Sequence, residues 1–148
     1  MKLLIAADHA GIELKNALVK HVQDAGHEIV DMSPTVTSPT DDYPIIMHPV
    51  AIEVARDPEN IKAIIIGGSG TGEAIEANRH RGVRAAIYYG GNPEIVKLSR
   101  EHNNANVLSL GARFLSKEDA VSAVSLWLAT PFSGDERHVR RIKEIDTL

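Results

Sequence analysis

The chain has 148 residues, of which 43% are hydrophobic and 24% charged, the composition of one ordinary folded domain. Its net charge of −4 gives no bulk attraction to nucleic acid or to an anionic membrane, and no apolar run approaches the length of a membrane span. It has no cysteine, which excludes disulfides and thiol chemistry and is compatible with a reducing cytoplasm. We therefore expect a cytoplasmic protein with a single domain over residues 1–148 that binds neither nucleic acid nor membrane.

Short apolar runs alternate with helical patterns along the chain. The apolar runs predict five strands, over residues 3–7, 27–30, 61–66, 83–87 and 106–110. Helical spacing and helix-start signals predict helices over residues 14–25, 44–56, 71–78, 93–101 and 116–128, and a last helix that carries Val139, Ile142 and Ile145. Residues 31–43 are rich in Ser, Pro, Thr and Asp and are predicted to form a loop.

This alternation predicts βαβ units and therefore a parallel sheet with helices on both faces. The expected fold class is α/β, a flavodoxin-like three-layer sandwich with a five-stranded parallel sheet in the order 2-1-3-4-5 and a C-terminal helix. Ligands of such sheets bind beyond the carboxyl ends of the strands, at the switch point. In this order strands one and three are neighbours, so Asp8 and His9, which follow strand one, should lie beside the loop after strand three.

The loop after strand three is the most informative segment of the chain. The apolar run 64–66 breaks into four glycines within six residues, and Glu73 follows where a helix should begin. Backbone N–H groups of such a turn can surround an anion. An anion site with a carboxylate at its edge predicts proton transfer on a negatively charged substrate. The alternative is a glycine-rich turn that merely lets the strand and the helix pack closely.

Two common glycine motifs are excluded by the same segment. The P-loop requires a lysine where this chain has Glu73, whose carboxylate would repel a nucleotide phosphate. The dinucleotide-binding fingerprint begins well at Gly68 and Gly70, but its third glycine also falls on Glu73.

Other polar residues follow or precede the predicted strands. Asp8 could simply cap a helix, and His9 could be a surface residue of a loop. Their expected position beside Glu73 favours a functional role for both. His102 lies between helix four and strand five, and we place it at the ligand-binding end of the sheet, where a histidine can move protons near neutral pH. It could instead be an ordinary surface residue, as could Asn104 in the same turn. Arg113 follows strand five at the carboxyl end.

A basic cluster lies near the C-terminus. Arg137 and Arg141 are one helical turn apart and share a face, so their guanidinium groups could bind a phosphate. The alternative is a solvated basic helix with ion pairs to Glu136 and Glu144. The segment 79–81, Arg-His-Arg, is interpreted as a solvated turn.

Taken in order, these clusters resemble one known family, the ribose/galactose-6-phosphate isomerases, and within it the type B ribose-5-phosphate isomerases. The resemblance covers nearly the whole chain. The motifs that carry it are Asp8-His9-Ala10-Gly11, Asp42-Tyr43-Pro44, Gly68-Ser69-Gly70-Thr71-Gly72, Asn78, Gly82-Val83-Arg84-Ala85-Ala86, His102-Asn103, Gly111-Ala112-Arg113 and Arg137-His138.

The resemblance implies a homodimer, or a higher oligomer, whose active sites share residues from two subunits, and an aldose–ketose isomerisation that needs no metal and no cofactor. It implies that Asp8, His9 and Tyr43 meet the sugar and that His102 opens the sugar ring, with Asn103 nearby. The implied anion hole consists of Gly68, Ser69, Gly70, Thr71 and Gly72. The implied phosphate-binding residues are Arg113, Arg137 and Arg141, some of them acting across the dimer. His138 is implied to be a further substrate-binding residue.

The chain departs from many family members at one position. They carry a cysteine as the proton-abstracting base just before the glycine turn, where this chain has Gly67. A second branch uses a glutamate within a G-G-S-G-x-G-E pattern, which this chain contains, so the resemblance moves the base to Glu73. A position at a helix N-terminus should favour the ionised form of that carboxylate.

The expected activity is the interconversion of ribose 5-phosphate and ribulose 5-phosphate through an enediolate, with a sugar phosphate as the ligand. Two alternatives stay open at this stage. One is a hexose-6-phosphate isomerase acting on allose or galactose 6-phosphate. The other is a noncatalytic sugar-phosphate-binding module.

Overall fold

The computed structural model describes residues 2–148 and contains strands and helices in the predicted alternation. Its strands are β1 Lys2–Ala7, β2 Ile29–Asp31, β3 Ile61–Gly67, β4 Ala85–Tyr88 and β5 Val107–Gly111. Its helices are α1 Ile12–Asp24, α2 Tyr43–Arg56, α3 Thr71–Ala77, α4 Glu94–Glu101, α5 Lys117–Ala129 and α6 Glu136–Thr147. Within residues 2–148 no helix has both the length and the apolar character needed to cross a membrane.

The five strands form one parallel sheet in the order β2-β1-β3-β5-β4. The α/β, flavodoxin-like fold class is confirmed, but the predicted order 2-1-3-4-5 differs at one edge, where β5 lies between β3 and β4. The burial of the two strands agrees with the observed order. Every residue of β5 is buried, whereas three of the four residues of β4 are partly exposed, as expected of an edge strand.

The sheet is apolar on both faces because helices cover both. Alternate residues of β1 point to opposite sides, with Leu3 and Ile5 on one face and Leu4 and Ala6 on the other. The first face packs against α1, α4 and α5, around the fully buried Trp127. The second face packs against α2 and α3. Continuous apolar strands of this kind are typical of a parallel sheet buried on both sides.

Strand register brings three loops together at the carboxyl edge of the sheet. Ala7 at the end of β1 is aligned with Ile66 of β3, and Gly67 at the end of β3 is aligned with Gly111 of β5. The loops that follow β1, β3 and β5 are therefore neighbours. The central position of β5, which differs from the predicted order, places the loop containing Arg113 next to the glycine turn.

Candidate active site

The glycine turn is held in one conformation by contacts with β5. Gly70 has a φ of +75°, and a Cβ atom added there would lie 2.9 Å from the carbonyl carbon of Leu110. Glycine is therefore required both for the left-handed backbone and for the close approach. Ser109 donates a hydrogen bond to the carbonyl of Gly70 at 2.6 Å, and Ser69 Oγ accepts one from the N–H of Thr71 at 3.2 Å.

The Glu73 carboxyl group occupies the space that a side chain at position 67 would need. A Cβ atom added to Gly67 would overlap Oε1 and Cδ of Glu73. Glu73 itself is buried, with 4% of its surface exposed. A cysteine at position 67 and a glutamate at position 73 would thus compete for the same volume. The glycine before the turn is what makes room for the carboxylate.

Asp8 lies against Glu73 and is fixed by the backbone that follows β1. Its Oδ1 accepts hydrogen bonds from the N–H groups of Ala10 at 2.9 Å and Gly11 at 3.2 Å. Burial raises the pKa of Glu73; a backbone hydrogen bond opposes this, but the charge of Asp8 and its hydrogen bond raise the pKa further. The expectation that the ionised form of Glu73 is favoured is therefore wrong, because burial and Asp8 outweigh the effect of the helix N-terminus. A raised pKa makes Glu73 a stronger base than an exposed glutamate.

The Asp8 contact gives a prediction for the pH dependence. The rate should fall as pH drops through the raised pKa of Glu73, because only the carboxylate accepts a proton. Asp8→Asn keeps an oxygen for the two backbone N–H groups but removes the charge, so the Glu73 pKa should fall and the acidic limb of kcat/KM should move to lower pH. Steady-state kinetics from pH 4 to 8 measure the shift, with the exposed Asp24→Asn as control. An unmoved limb in Asp8→Asn would contradict this coupling.

Two further predicted side chains border the turn. Tyr43, the first residue of α2, lies against Gly72, where an added Cβ atom would be 2.5 Å from Cζ and 2.7 Å from the hydroxyl oxygen of the tyrosine. The guanidinium of Arg113 covers Gly68 at 3.1–3.2 Å from the position of an added Cβ atom. The N–H of Arg113 also donates to the carbonyl of Gly68 at 3.0 Å. A cation therefore lies directly over the turn.

His9 adds an unused polar atom at this edge. Its Nδ1 is buried, and within residues 2–148 it has no hydrogen-bond partner. The structure thus brings together a first cluster, the carboxyl-edge cluster, which consists of Asp8, His9, Tyr43, the turn 68–72, Glu73 and Arg113.

The remaining predicted residues form a second cluster, the amino-edge cluster, which consists of His102, Asn103, Arg137, His138 and Arg141. His102 is the C-cap of α4 and precedes β5, so it lies at the amino edge of the sheet. The predicted placement of His102 at the ligand-binding end is wrong, because α4 runs back along the sheet and ends at the opposite edge. Five residues of β5 separate the two clusters, roughly 15 Å at the rise of a strand.

The amino-edge cluster is internally ordered. The rings of His102 and His138 have centroids 4.3 Å apart, and Ser133 Oγ lies 3.1 Å from Nδ1 of His138. Burial lowers the pKa of His138, and the charges of His102 and Arg137 lower it further. The His138 ring is therefore mainly neutral at pH 7 and can donate a hydrogen bond to an anion. Ser133 was not predicted, since one serine in a loop carries no signal without the histidine that it contacts.

Arg137 and Arg141 are exposed on α6. Within residues 2–148 neither forms an ion pair, so the alternative of intrahelical pairs with Glu136 and Glu144 is not what the structure has. Both guanidinium groups remain available to an anionic partner.

The fold and the site together define a parallel α/β protein with a glycine-lined turn, an overlying arginine and a buried carboxylate. The family described as Ribose/Galactose Isomerase matches residues 3–145, and the chain belongs to this family. The predicted resemblance is thereby confirmed.

Relatives and solved structures agree with this assignment. Ribose-5-phosphate isomerase B of Mycobacterium tuberculosis is 37% identical over 142 residues, which cover 96% of this chain and 86% of that protein. The Escherichia coli protein of the same name is 36% identical over 147 residues, which cover 99% of this chain and 95% of that protein. The crystal structure of ribose-5-phosphate isomerase B from Mycoplasma genitalium with bound ribulose-5-phosphate matches this chain with a TM-score of 0.92 at 34% identity. The match covers 98% of this chain and 93% of that one.

Proposed function

We propose that this chain is an aldose–ketose isomerase that interconverts ribose 5-phosphate and ribulose 5-phosphate. The observation that carries the proposal is the buried Glu73 carboxyl group, with its raised pKa, beside a turn whose amides can stabilise an oxyanion. The names of the relatives, and the ribulose-5-phosphate in the Mycoplasma genitalium structure, support this substrate class.

The proposed reaction begins on the open-chain aldose. Glu73 removes the proton from C2, and the electron pair of that C–H bond forms the C1–C2 double bond while the carbonyl oxygen at C1 takes the negative charge. Amide N–H groups of the turn stabilise this enediolate. Glu73 then returns the proton to C1, and the proton of the C2 hydroxyl passes to the oxygen on C1, which leaves a ketone at C2. The step needs neither a metal nor a cofactor.

We further propose that the working site combines the carboxyl-edge cluster of one protomer with the amino-edge cluster of a second copy. Within one chain the two clusters lie at opposite edges of the sheet, too far apart to hold one pentose phosphate. A second copy would bring His102 and the arginines of α6 to the phosphate and the ring oxygen. The distance between the clusters, rather than any observed partner, supports this arrangement.

The surface around α6 also supports a second copy. Val139 and Ile145 of α6 are 48% and 63% exposed in the single chain. A hollow of about 360 Å³ opens beside edge strand β4 and is lined in part by Ala85, Asn103 and Ile145. Exposed apolar residues next to an open edge are typical of a surface that another chain covers.

The cytoplasmic location stays a prediction.

The proposed ring-opening role of His102 gives a second prediction. Ribose 5-phosphate is mainly cyclic, whereas ribulose 5-phosphate stays open because its C5 oxygen carries the phosphate. His102→Ala should therefore lower kcat on ribose 5-phosphate by about a hundredfold, the scale of lost general acid catalysis, and affect ribulose 5-phosphate much less. Initial rates in the two directions measure this, with the exposed His27→Ala as control. Equal losses in both directions would refute the role.

A hexose-6-phosphate isomerase is the second candidate, favoured by the family description, which includes galactose. We expect the segments 31–43 and 88–93 to set the size of the sugar that fits. A noncatalytic binding module is disfavoured by a buried carboxylate with a raised pKa, since simple anion binding gains nothing from a base at that place.

The experiment that tests the proposal is a turnover assay on the purified chain with ribose 5-phosphate and with ribulose 5-phosphate. Conversion in both directions to the same equilibrium ratio supports the isomerase. Saturable binding of ribose 5-phosphate by calorimetry without turnover would instead identify a binding module.

A further inference from the structure

A second cluster of potential ligands lies away from Glu73, on the outer side of α2 and α3. His48 of α2 and His80, in the turn after α3, both contact Glu76. His48 Nδ1 lies 3.0 Å and His80 Nε2 3.3 Å from Oε1 of Glu76, and the two imidazole centroids are 4.9 Å apart. Because an ionised carboxylate only accepts, both rings donate their N–H groups to the same oxygen. The side chains are 54%, 21% and 17% exposed for His48, Glu76 and His80.

We propose that His48, Glu76 and His80 form a binding site for a divalent transition-metal ion of the zinc class. The three ligand atoms lie within 4.8 Å of one another. Ligand atoms around a tetrahedral zinc ion are about 3.3–3.4 Å apart, given bonds of about 2.0–2.1 Å. The distance of 3.3 Å from His80 Nε2 to Glu76 Oε1 already has this value. The distance of 3.0 Å from His48 Nδ1 to the same oxygen is about 0.3 Å shorter. An ion would take the place of the two protons that now bridge the imidazoles to the carboxylate.

The chemistry of the donor set selects the kind of ion. Two imidazole nitrogens and one carboxylate oxygen suit zinc, copper or nickel, whereas magnesium and calcium prefer sites made entirely of oxygen. Three protein ligands leave a fourth position open to water. Because His48 is half-exposed, its ring can turn to bring Nδ1 to tetrahedral distance from Nε2 of His80. The interpretation of His80 as part of a solvated turn is therefore incomplete.

A bound ion would link α2 to α3. Glu76 and His80 are four residues apart, while His48 comes from a helix 28 residues earlier in the chain. The inference does not rest on the proposed isomerase function, because none of the three side chains belongs to either cluster described above. An ion that binds only the folded chain raises its unfolding temperature by mass action.

The test is titration of the full chain with Zn²⁺ alone, followed by isothermal titration calorimetry. A second titration with Co²⁺ is followed by the visible absorption of a tetrahedral Co²⁺ complex. We expect one equivalent per chain and a rise in unfolding temperature of roughly 5–10 °C at a hundredfold excess over Kd. His48→Ala, His80→Ala and Glu76→Gln should each weaken Zn²⁺ binding at least about tenfold. The matched control is His27→Ala, an exposed histidine outside the cluster, which should bind as the unaltered chain does.

Three results would overturn the proposal. One is Zn²⁺ binding that is unchanged in His48→Ala and His80→Ala. The second is Zn²⁺ binding that disappears in His102→Ala, which would place the ion among the histidines of the amino-edge cluster. The third is an unfolding temperature that Zn²⁺ does not raise, as expected if Glu76 merely joins two rings by hydrogen bonds. Because His48 is on the surface, its replacement by alanine leaves the helix intact and keeps the test decisive.

Discussion

Glu73→Gln should lower kcat for ribose 5-phosphate at least about a hundredfold while the fold and sugar-phosphate binding persist. The glutamine amide fills the same buried space beside Gly67 but cannot accept the C2 proton. Steady-state kinetics measure kcat, and calorimetry with ribose 5-phosphate measures binding. The matched control is Glu118→Gln, another glutamate in the first turn of a helix, which is exposed. Near-normal turnover by Glu73→Gln would remove Glu73 from the role of base.

The same variant should not lose stability, and the sign follows from the pKa shift. The pKa of Glu73 is raised in the folded chain, so its contribution to the free energy of unfolding is present at low pH and is lost as pH rises through the folded pKa. At pH 8 the unaltered chain therefore holds an unfavourable buried charge. Glu73→Gln should then unfold at a higher temperature than the unaltered chain at pH 8 and at the same temperature at pH 4. Calorimetric scans at the two pH values measure this, and a lower unfolding temperature of the variant at pH 8 would contradict it.

Removing both Arg137 and Arg141 should weaken phosphate recognition severely. Each charge-assisted contact to a phosphate is worth about 1.5–3 kcal/mol, so Arg137→Ala/Arg141→Ala should lower kcat/KM by roughly two to four powers of ten, mostly through KM. The variant should also lose its preference for ribose 5-phosphate over unphosphorylated ribose. Kinetics on both sugars measure the effect. The exposed Arg79→Ala serves as control, and a KM unchanged in the double variant would contradict the role of α6.

Mixing two inactive variants tests whether the site is shared. In a heterodimer of Glu73→Gln with Arg137→Ala/Arg141→Ala, one hybrid site receives Glu73 from one chain and both arginines from the other, so activity should return. The control mixture replaces the arginine variant by one that also carries Glu73→Gln, which leaves no hybrid site with a base. If mass spectrometry shows that subunits exchange and no activity returns, the arginines do not act across an interface.

The strands and the glycine turn could be predicted from the sequence because their signals are local. The apolar run 64–66 and the glycines that follow define a strand and a turn wherever the chain goes. The order of β4 and β5 could not be predicted in this way, since both strands are short and apolar. In the folded chain the central strand β5 is buried throughout, whereas three residues of the edge strand β4 are partly exposed.

Long-range contacts account for the rest of what sequence analysis missed. The pKa of Glu73 is set by burial and by Asp8, 65 residues earlier, so its direction could not be deduced from a helix start alone. The connection from α4 to β5 lies at the amino edge of the parallel sheet, so the chain order alone places His102 at that edge and not at the ligand-binding end. His48 and His80 meet at Glu76 only because α2 packs against α3.

The most direct test of the account is the kcat/KM of the purified chain on ribose 5-phosphate, ribulose 5-phosphate, allose 6-phosphate and galactose 6-phosphate, measured in parallel with Glu73→Gln. We expect efficient interconversion of the two pentose phosphates, at least about tenfold lower kcat/KM for either hexose phosphate, and loss of all these activities in Glu73→Gln. Absence of pentose phosphate turnover, or a higher kcat/KM for a hexose 6-phosphate, would contradict it.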